Sequence, residues 1–215
     1  MAKKIKIDLP KVPAHLEKVS FQDIYYEEDP QLLNGMVIDT EIHDERLERV
    51  IFSKVIFKNV TFLNADFNKI DMTDVIFENC NLSNSRLYEG IVHRVAFKDC
   101  KLLGVDFSNA NLGNVSFENC DVNLSNFADA RLKQVSFNNA SLRSANFFDC
   151  KLSKVNFSYC DINDVDFTQT LLKGIDISTC TYEQLNVTLE SLKGCEVSSN
   201  QAIGFSKLLG LNVKD

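Results

Sequence analysis

Three histidines, His15, His43 and His93, and seven cysteines are the side chains of this 215-residue chain best suited to metal or nucleophilic chemistry. Zinc sites need Cys and His at close, paired spacing, and a catalytic nucleophile needs a base beside it. Neither pattern is present. The histidines lie far apart, none has a Cys or carboxylate at ligand spacing, and no CxxC pair occurs. GxGxxG, P-loop and nucleophile-elbow motifs are also missing. The sequence therefore predicts a non-enzymatic protein with no catalytic residue, no metal site and no cofactor. The cysteines show why: Cys80, Cys100, Cys120, Cys150, Cys160, Cys180 and Cys195 all fall in one five-residue register. Such regularity points to packing, with Cys acting as a small hydrophobe.

The elements behind that register are visible in the stretch VSFENCDVNLSNFADARLKQVSFNN, residues 115–139. Its large apolar residues are Phe117, Val122, Phe127, Leu132 and Phe137, one every five. A half-buried strand repeats every two residues and an amphipathic helix every 3.6, so neither accounts for it. The phase runs unbroken from Phe52 to Val197 and reaches back through Leu47 and Ile42 to Val37. Two residues before almost every large residue stands a small or β-branched one, such as Val55, Ala65, Val75, Cys80, Ala110 or Val115. Such a unit buries its apolar face only by stacking on copies of itself. Between Phe97 and Leu172 the large residues alternate Phe with Leu, Val or Ile, and several cysteines recur at twenty. That predicts a coil of four sides. Phe57, Phe77, Phe97, Phe117, Phe137 and Phe157 form one stacked column; Phe67, Phe107, Phe127, Phe147 and Phe167 form the opposite one.

These residues resemble the pentapeptide-repeat family, whose A-(D/N)-L-X-X pattern is matched by ADFNK at 65–69, CNLSN at 80–84 and ANLGN at 110–114, with CDINDV following from 160. The resemblance implies an all-β fold, a right-handed quadrilateral parallel β-helix with four pentapeptides per coil. About eight coils at strand spacing give a rod roughly 40 Å long. Exposed strand edges at both ends need covers. The expected division is residues 1–36 as N-terminal cap, with KIKIDL as a strand; 37–198 as β-helix; and 199–215 as capping and dimerisation segment. In the last, Ser199 or Asn200 is the expected N-cap, Gln201 to Leu209 the helix, Gly210 its end, and Leu211 and Val213 a short strand.

Charge sorts the surface. The net charge is -7, which does not favour direct binding of nucleic acid or anionic membrane and permits a basic partner. Beside the Phe127 column lie Asp66, Glu89, Asp106, Asp129, Asp149 and Asp166, opposed by Arg86 and Lys69; the adjacent side adds Asp121, Asp161, Asp164 and Glu183. The Leu132 side is basic, with Lys54, Arg94, Arg131, Lys133, Lys151, Lys154 and Lys173. Six carboxylates over about five coils come to one per roughly 5 Å, sparser than DNA's phosphate per ~3.4 Å but of the same order. This is a DNA-mimic pattern.

Within the family the chain is most similar to the Qnr-type and mycobacterial fluoroquinolone-resistance proteins. That resemblance implies a non-catalytic partner of DNA gyrase or topoisomerase IV, active in quinolone protection and homodimeric through its C-terminus; Phe205, Leu208, Leu209, Leu211 and Val213 are the expected interface. An uninterrupted phase leaves no room for the projecting loops of many Qnr-type proteins. Two alternatives are a scaffold for an unrelated protein and immunity against a gyrase poison. No signal peptide or membrane span is evident, and the odd cysteine count disfavours disulfides, so a cytoplasmic protein is expected.

Overall fold

The computed structural model describes residues 5–26 and 29–214. Its governing feature is a backbone conformation that repeats with the sequence. Every fifth residue from Asn34 to Gly174 has positive φ, between 49 and 75°. One left-handed residue turns the chain sharply, so a run of extended residues followed by one such residue makes a side and a corner. Asn, Asp and Gly tolerate this conformation best and occupy most of these positions, but Arg49, Lys54, Leu124 and Tyr159 also hold it. Stacking of neighbouring coils must offset their local cost.

Six eight-residue strands mark successive coils. In chain order the strands are β1 (Glu17–Lys18), β2 (Gln31–Leu33), β3 (Gly35–Ile38), β4 (Glu41–His43), β5 (Ile51–Lys58), β6 (Thr61–Leu63), β7 (Asp71–Glu78), β8 (Ile91–Lys98), β9 (Asn111–Glu118), β10 (Arg131–Asn138) and β11 (Lys151–Ser158). From β5 to β11 the long strands pair in parallel with a constant offset of twenty: Leu112 meets Leu132, which meets Leu152. Twenty residues per turn is four sides. Each long strand bends through a left-handed corner and so covers two sides. The other two are held by single bridges such as Asp106 to Asn126 and by turns in which Ala130 N–H donates to the Phe127 carbonyl at 3.0 Å.

The core is the two predicted columns. Rings from Phe57 to Phe157 stack at 4.7–5.1 Å with interplanar angles of 4–13°. The opposite column stacks at 4.6–5.0 Å from Phe107 to Phe147. The two meet edge to face, as Phe127 and Phe137 do at 6.0 Å and 89°, an arrangement the ring quadrupole favours. The small register fills the space between them. Six cysteines are buried and Cys195 partly so, all unbridged. Burial pushes the Cys150 and Cys195 thiols up to about 12, away from the reactive thiolate.

The N-terminal part departs from expectation. The inward register starts one step before Val37, at buried Leu32, which pairs with Phe52. Ile5 to Leu9 of KIKIDL form no strand, and Lys4 lies outside the described residues. This segment instead runs lengthwise down one corner. Gln134 Nε2 donates to the Lys6 carbonyl at 3.0 Å; Asp8 N–H donates to Asn114 Oδ1 at 3.0 Å; Lys11 N–H donates to Asp74 Oδ1 at 2.8 Å. From Gln134 back to Asp74 is three coils, roughly 14 Å, which five extended residues span. The end itself is plugged by a 3-10 turn, Phe21–Tyr25, whose Phe21 and Ile24 are buried. Gly35 lets β1 close over it, since a Cβ there would stand 2.5 Å from Val19 Cγ2.

At the other end, α1 (Leu189–Leu192) lies within the last coil, with Glu196 beyond it bridged to Asp176, and α2 (Ser199–Phe205) follows that coil. The N-cap of α2 is Ser198, one residue before the expected positions, because Gln201 completes a reciprocal capping box with it. The helix tightens into a 3-10 turn, Ser206–Leu209, before left-handed Gly210. Leu211 and Val213 form no strand: no neighbouring edge pairs with them.

Candidate interaction faces

The acidic residues fall into two structural kinds. Asp66, Asp106, Asp121, Asp161 and Asp166 each precede an inward residue and are half-buried. Four of these carboxylates brace their own turns: Asp106, Asp121, Asp161 and Asp166 accept the N–H of Ser108, Asn123, Asn163 and Thr168 at 2.8–3.2 Å. Short acidic side chains suit this geometry. Asp161 also pairs with Arg143 Nη1 at 2.9 Å. Asp164, at a corner, accepts from Asn163 and Gln184. Of the six carboxylates beside the Phe127 column, Glu89, Asp129 and Asp149 are both exposed and outside any ion pair among the described residues. They sit in left-handed positions on the corner joining the Phe127 and Leu132 sides.

The acidic stripe is therefore not uniform along the rod. Arg46, Asp66, Arg86 and Asp106 are successive bridge partners, so the N-terminal half of that ladder alternates in sign. Arg49 and Lys69 precede Glu89 on the corner, and Lys69 pairs with Glu48 at 2.7 Å. From Asp121 to Asp166 the Val122 and Phe127 sides carry carboxylates and, besides the paired Arg143, no cation. The acidic surface is thus the C-terminal half.

Sequence reasoning missed two exposed aromatics on the Phe127 side, Phe148 within this surface and Tyr88 nearer the N-terminal end. Tyr88 and Phe148 are each 36% exposed, beside Glu89 and Asp149. They occupy the position after an inward residue, where Asn68, Ser108, Ala128 and Thr168 are small or polar. That contrast was the available signal. Aromatic anchors within a charged rim are what protein interfaces use.

The Leu132 side holds Arg131, Lys133, Lys151, Lys154 and Lys173, all exposed. Arg94 on the same side differs: its guanidinium grips Asp74 with two bonds of 2.6 and 2.8 Å. Hydrogen bonding to Arg94 holds the Asp74 carboxyl below the usual range. Among the described residues no cluster of His, Cys, Asp or Glu is placed to hold a metal, and no helix is long and apolar enough to cross a membrane.

At the C-terminus the five expected interface residues separate. Phe205 packs on Tyr182 with ring centroids 5.8 Å apart, and Gln201 Nε2 donates to the Ile177 and Cys180 carbonyls. Both seal the last coil. Leu208, Leu209, Leu211 and Val213 stay 42–63% exposed, with Ile203 at 53%.

Residues 70–147 match the family model of the pentapeptide repeat region, and residues 24–107 match that of the SV2A/B/C luminal domain. No curated protein sequence matches the chain. Among solved structures, trypsin-treated QnrB1, a plasmid-mediated fluoroquinolone resistance protein, superposes with a TM-score of 0.53 at 21% identity, covering 84% of this chain and 100% of that one. HetL, a pentapeptide repeat protein of heterocyst differentiation regulation from the cyanobacterium Nostoc, gives 0.34 at 13% identity over 85% and 95%. The repeat region, residues 70–147, is thus similar in sequence to the pentapeptide repeat family, and the same corners and columns run beyond it on both sides.

Proposed function

We propose that this protein binds a type II topoisomerase, DNA gyrase or topoisomerase IV, in place of a DNA segment, without catalysing a reaction. The carrying observation is the C-terminal half of the rod, where carboxylates cover two adjacent sides almost without cations. A basic cleft shaped for duplex accepts such a surface through the same long-range attraction. Phe148 adds an apolar anchor that a phosphate backbone lacks, and Tyr88 adds another on the same side three coils toward the N-terminus. The fold shared with QnrB1 supports quinolone protection as the cellular outcome and cytoplasm as its place. Two copies joined end to end at Leu208, Leu209, Leu211 and Val213 double the length of acidic surface.

The test is gyrase supercoiling with purified protein at rising salt. The wild type inhibits, and inhibition fades as salt screens the charges, with a Debye length of about 8 Å at physiological ionic strength. Glu89, Asp129 and Asp149 all changed to Lys abolish inhibition; unlike Asp106 or Asp166, they brace no turn. Changing Tyr88 and Phe148 to Ser weakens it. If the wild type leaves the enzyme untouched, the scaffold reading replaces this one.

A further inference from the structure

We propose that the Leu132 side of the C-terminal half is a second docking surface, opposite in charge, that takes the phosphate backbone of a nucleic acid. Arg131 and Lys151 are register partners on adjacent coils. Lys133, Lys154 and Lys173 complete a patch with no ion pair among the described residues. The N-terminal strap adds a sixth cation. Gln134 fixes the Lys6 carbonyl at the level of Arg131 and Lys133, and the Lys6 side chain is exposed.

The strap thus places a residue distant in sequence at one edge of the patch. The other edge is the Asp129 and Asp149 corner. A polyanion is repelled from that corner and attracted to the side between it and the strap, so it lies along the rod. The net charge of -7 sums over sides that screening separates; within a Debye length of about 8 Å the local cations decide.

The chemistry of the side favours a phosphate backbone over an acidic protein. Protein interfaces depend on buried aromatic anchors, and no aromatic stands among residues 131–134, 151–154 or 171–174. Backbone recognition needs only Lys and Arg with hydroxyl or amide groups beside them, here Ser153 next to Lys133 in register.

The experiment is fluorescence anisotropy of a labelled duplex of about 16 base pairs with the full chain, without topoisomerase, from about 25 to 200 mM salt. Binding is expected at low salt, with a log–log salt slope near -3 to -5 for four or five neutralised phosphates. Lys133→Glu, Lys151→Glu and Lys154→Glu together weaken it about tenfold or more while the thermal melt is unchanged. Glu89→Lys, Asp129→Lys and Asp149→Lys together strengthen it, whereas they abolish gyrase inhibition, so the two surfaces fail separately. Absence of binding at 25 mM salt overturns the proposal. So does equal binding by the lysine-reversed protein, or equal competition by polyglutamate of matched charge, which would assign the side to an acidic protein.

Discussion

The two ends of the rod face the same physical problem and solve it differently. Each terminal coil presents unpaired strand edges and an open stack of side chains. At the N-terminal end, Phe21 enters the core, 5.8 Å from Phe62, 6.4 Å from Phe52 and 6.5 Å from Phe67, and is 2% exposed. A capping box at Ser20 fixes the turn that carries it. At the C-terminal end, Phe205 packs only partly buried against the core, with its ring on Tyr182, and the following residues leave a row of apolar side chains in water. One end is finished within the chain. The other leaves that apolar row exposed, and the proposed two-fold pairing would cover it.

The largest test of this contrast is energetic. Phe21→Ala is expected to cost about 3–5 kcal/mol, as much as Phe127→Ala in mid-column, because each removes a buried ring and leaves a cavity. Leu209→Ala, 63% exposed, changes the unfolding free energy of the dilute protein by less than about 0.5 kcal/mol. Denaturant melts of the three variants check this. Equal losses at both ends would show the C-terminus to be as well packed as the N-terminus.

Assembly sharpens the comparison next. Leu209→Glu with Leu211→Glu keeps Phe205 and Gln201 in the seal but charges the exposed row. Light scattering is expected to show a dimer for the wild type and a monomer for this variant, with similar melts when both are dilute. A wild-type monomer removes the unfinished-interface reading.

The strap gives a smaller effect, confined to the N-terminal end. Asp74→Ala leaves Arg94 without its partner and Lys11 N–H without its acceptor, at about 1–3 kcal/mol. Amide exchange at Lys11 should then speed up while exchange in the Phe columns does not. The pH dependence has a definite sign. Arg94 depresses the Asp74 carboxyl in the folded state, so its contribution is complete above the unfolded-state value near 3.9 and is lost as pH falls through the lower folded value. Acid titration of the melt should show this loss in the wild type and not in Asp74→Ala.

Sequence made the repeat legible because a side chain that must point inward every fifth residue leaves a pattern no other demand erases. Phe117, Phe127 and Phe137 could be assigned to columns from spacing alone. The corners are marked too: Asn59, Asn64, Asn79, Asn84, Asn109, Asn114, Asn119 and Asn139 hold the left-handed position as regularly as the phenylalanines hold the core. Two of them, with an acid one coil back, form a side-chain ladder, Asn79 donating to Asn59 and Asn59 to Asp39, each at 2.8 Å. The strap was not legible. Its bonds join main-chain atoms of residues 6–11 to side chains 63 to 128 positions away, and main-chain recognition leaves no residue signature. The acidic faces were half legible. Spacing placed Asp106 on the correct side, but only the fold shows its Oδ1 engaged by Ser108 while Asp129 stands free of its own turn.

The smallest effect concerns a single atom at the unfinished end. The Tyr182 hydroxyl is buried and has no hydrogen-bond partner among the described residues, and burial raises its pKa to about 12. It occupies an inward position in the last coil, under Phe205, where the coil before it has Ile162. An unpaired buried hydroxyl costs about 1–3 kcal/mol. In an isolated rod Tyr182→Phe should therefore be neutral or stabilise by up to about 1 kcal/mol, since the ring stays and only the stranded oxygen goes. The outcome distinguishes two accounts of this end. A gain in both the wild-type background and the Leu209→Glu, Leu211→Glu background means that the hydroxyl is stranded whatever the assembly. A gain confined to the monomeric background, with a loss in the dimer, means that pairing of two C-terminal ends supplies its acceptor. That second result would tie the last coil's packing to the interface and make Tyr182, rather than the exposed leucines alone, a reporter of assembly in thermal melts at two protein concentrations.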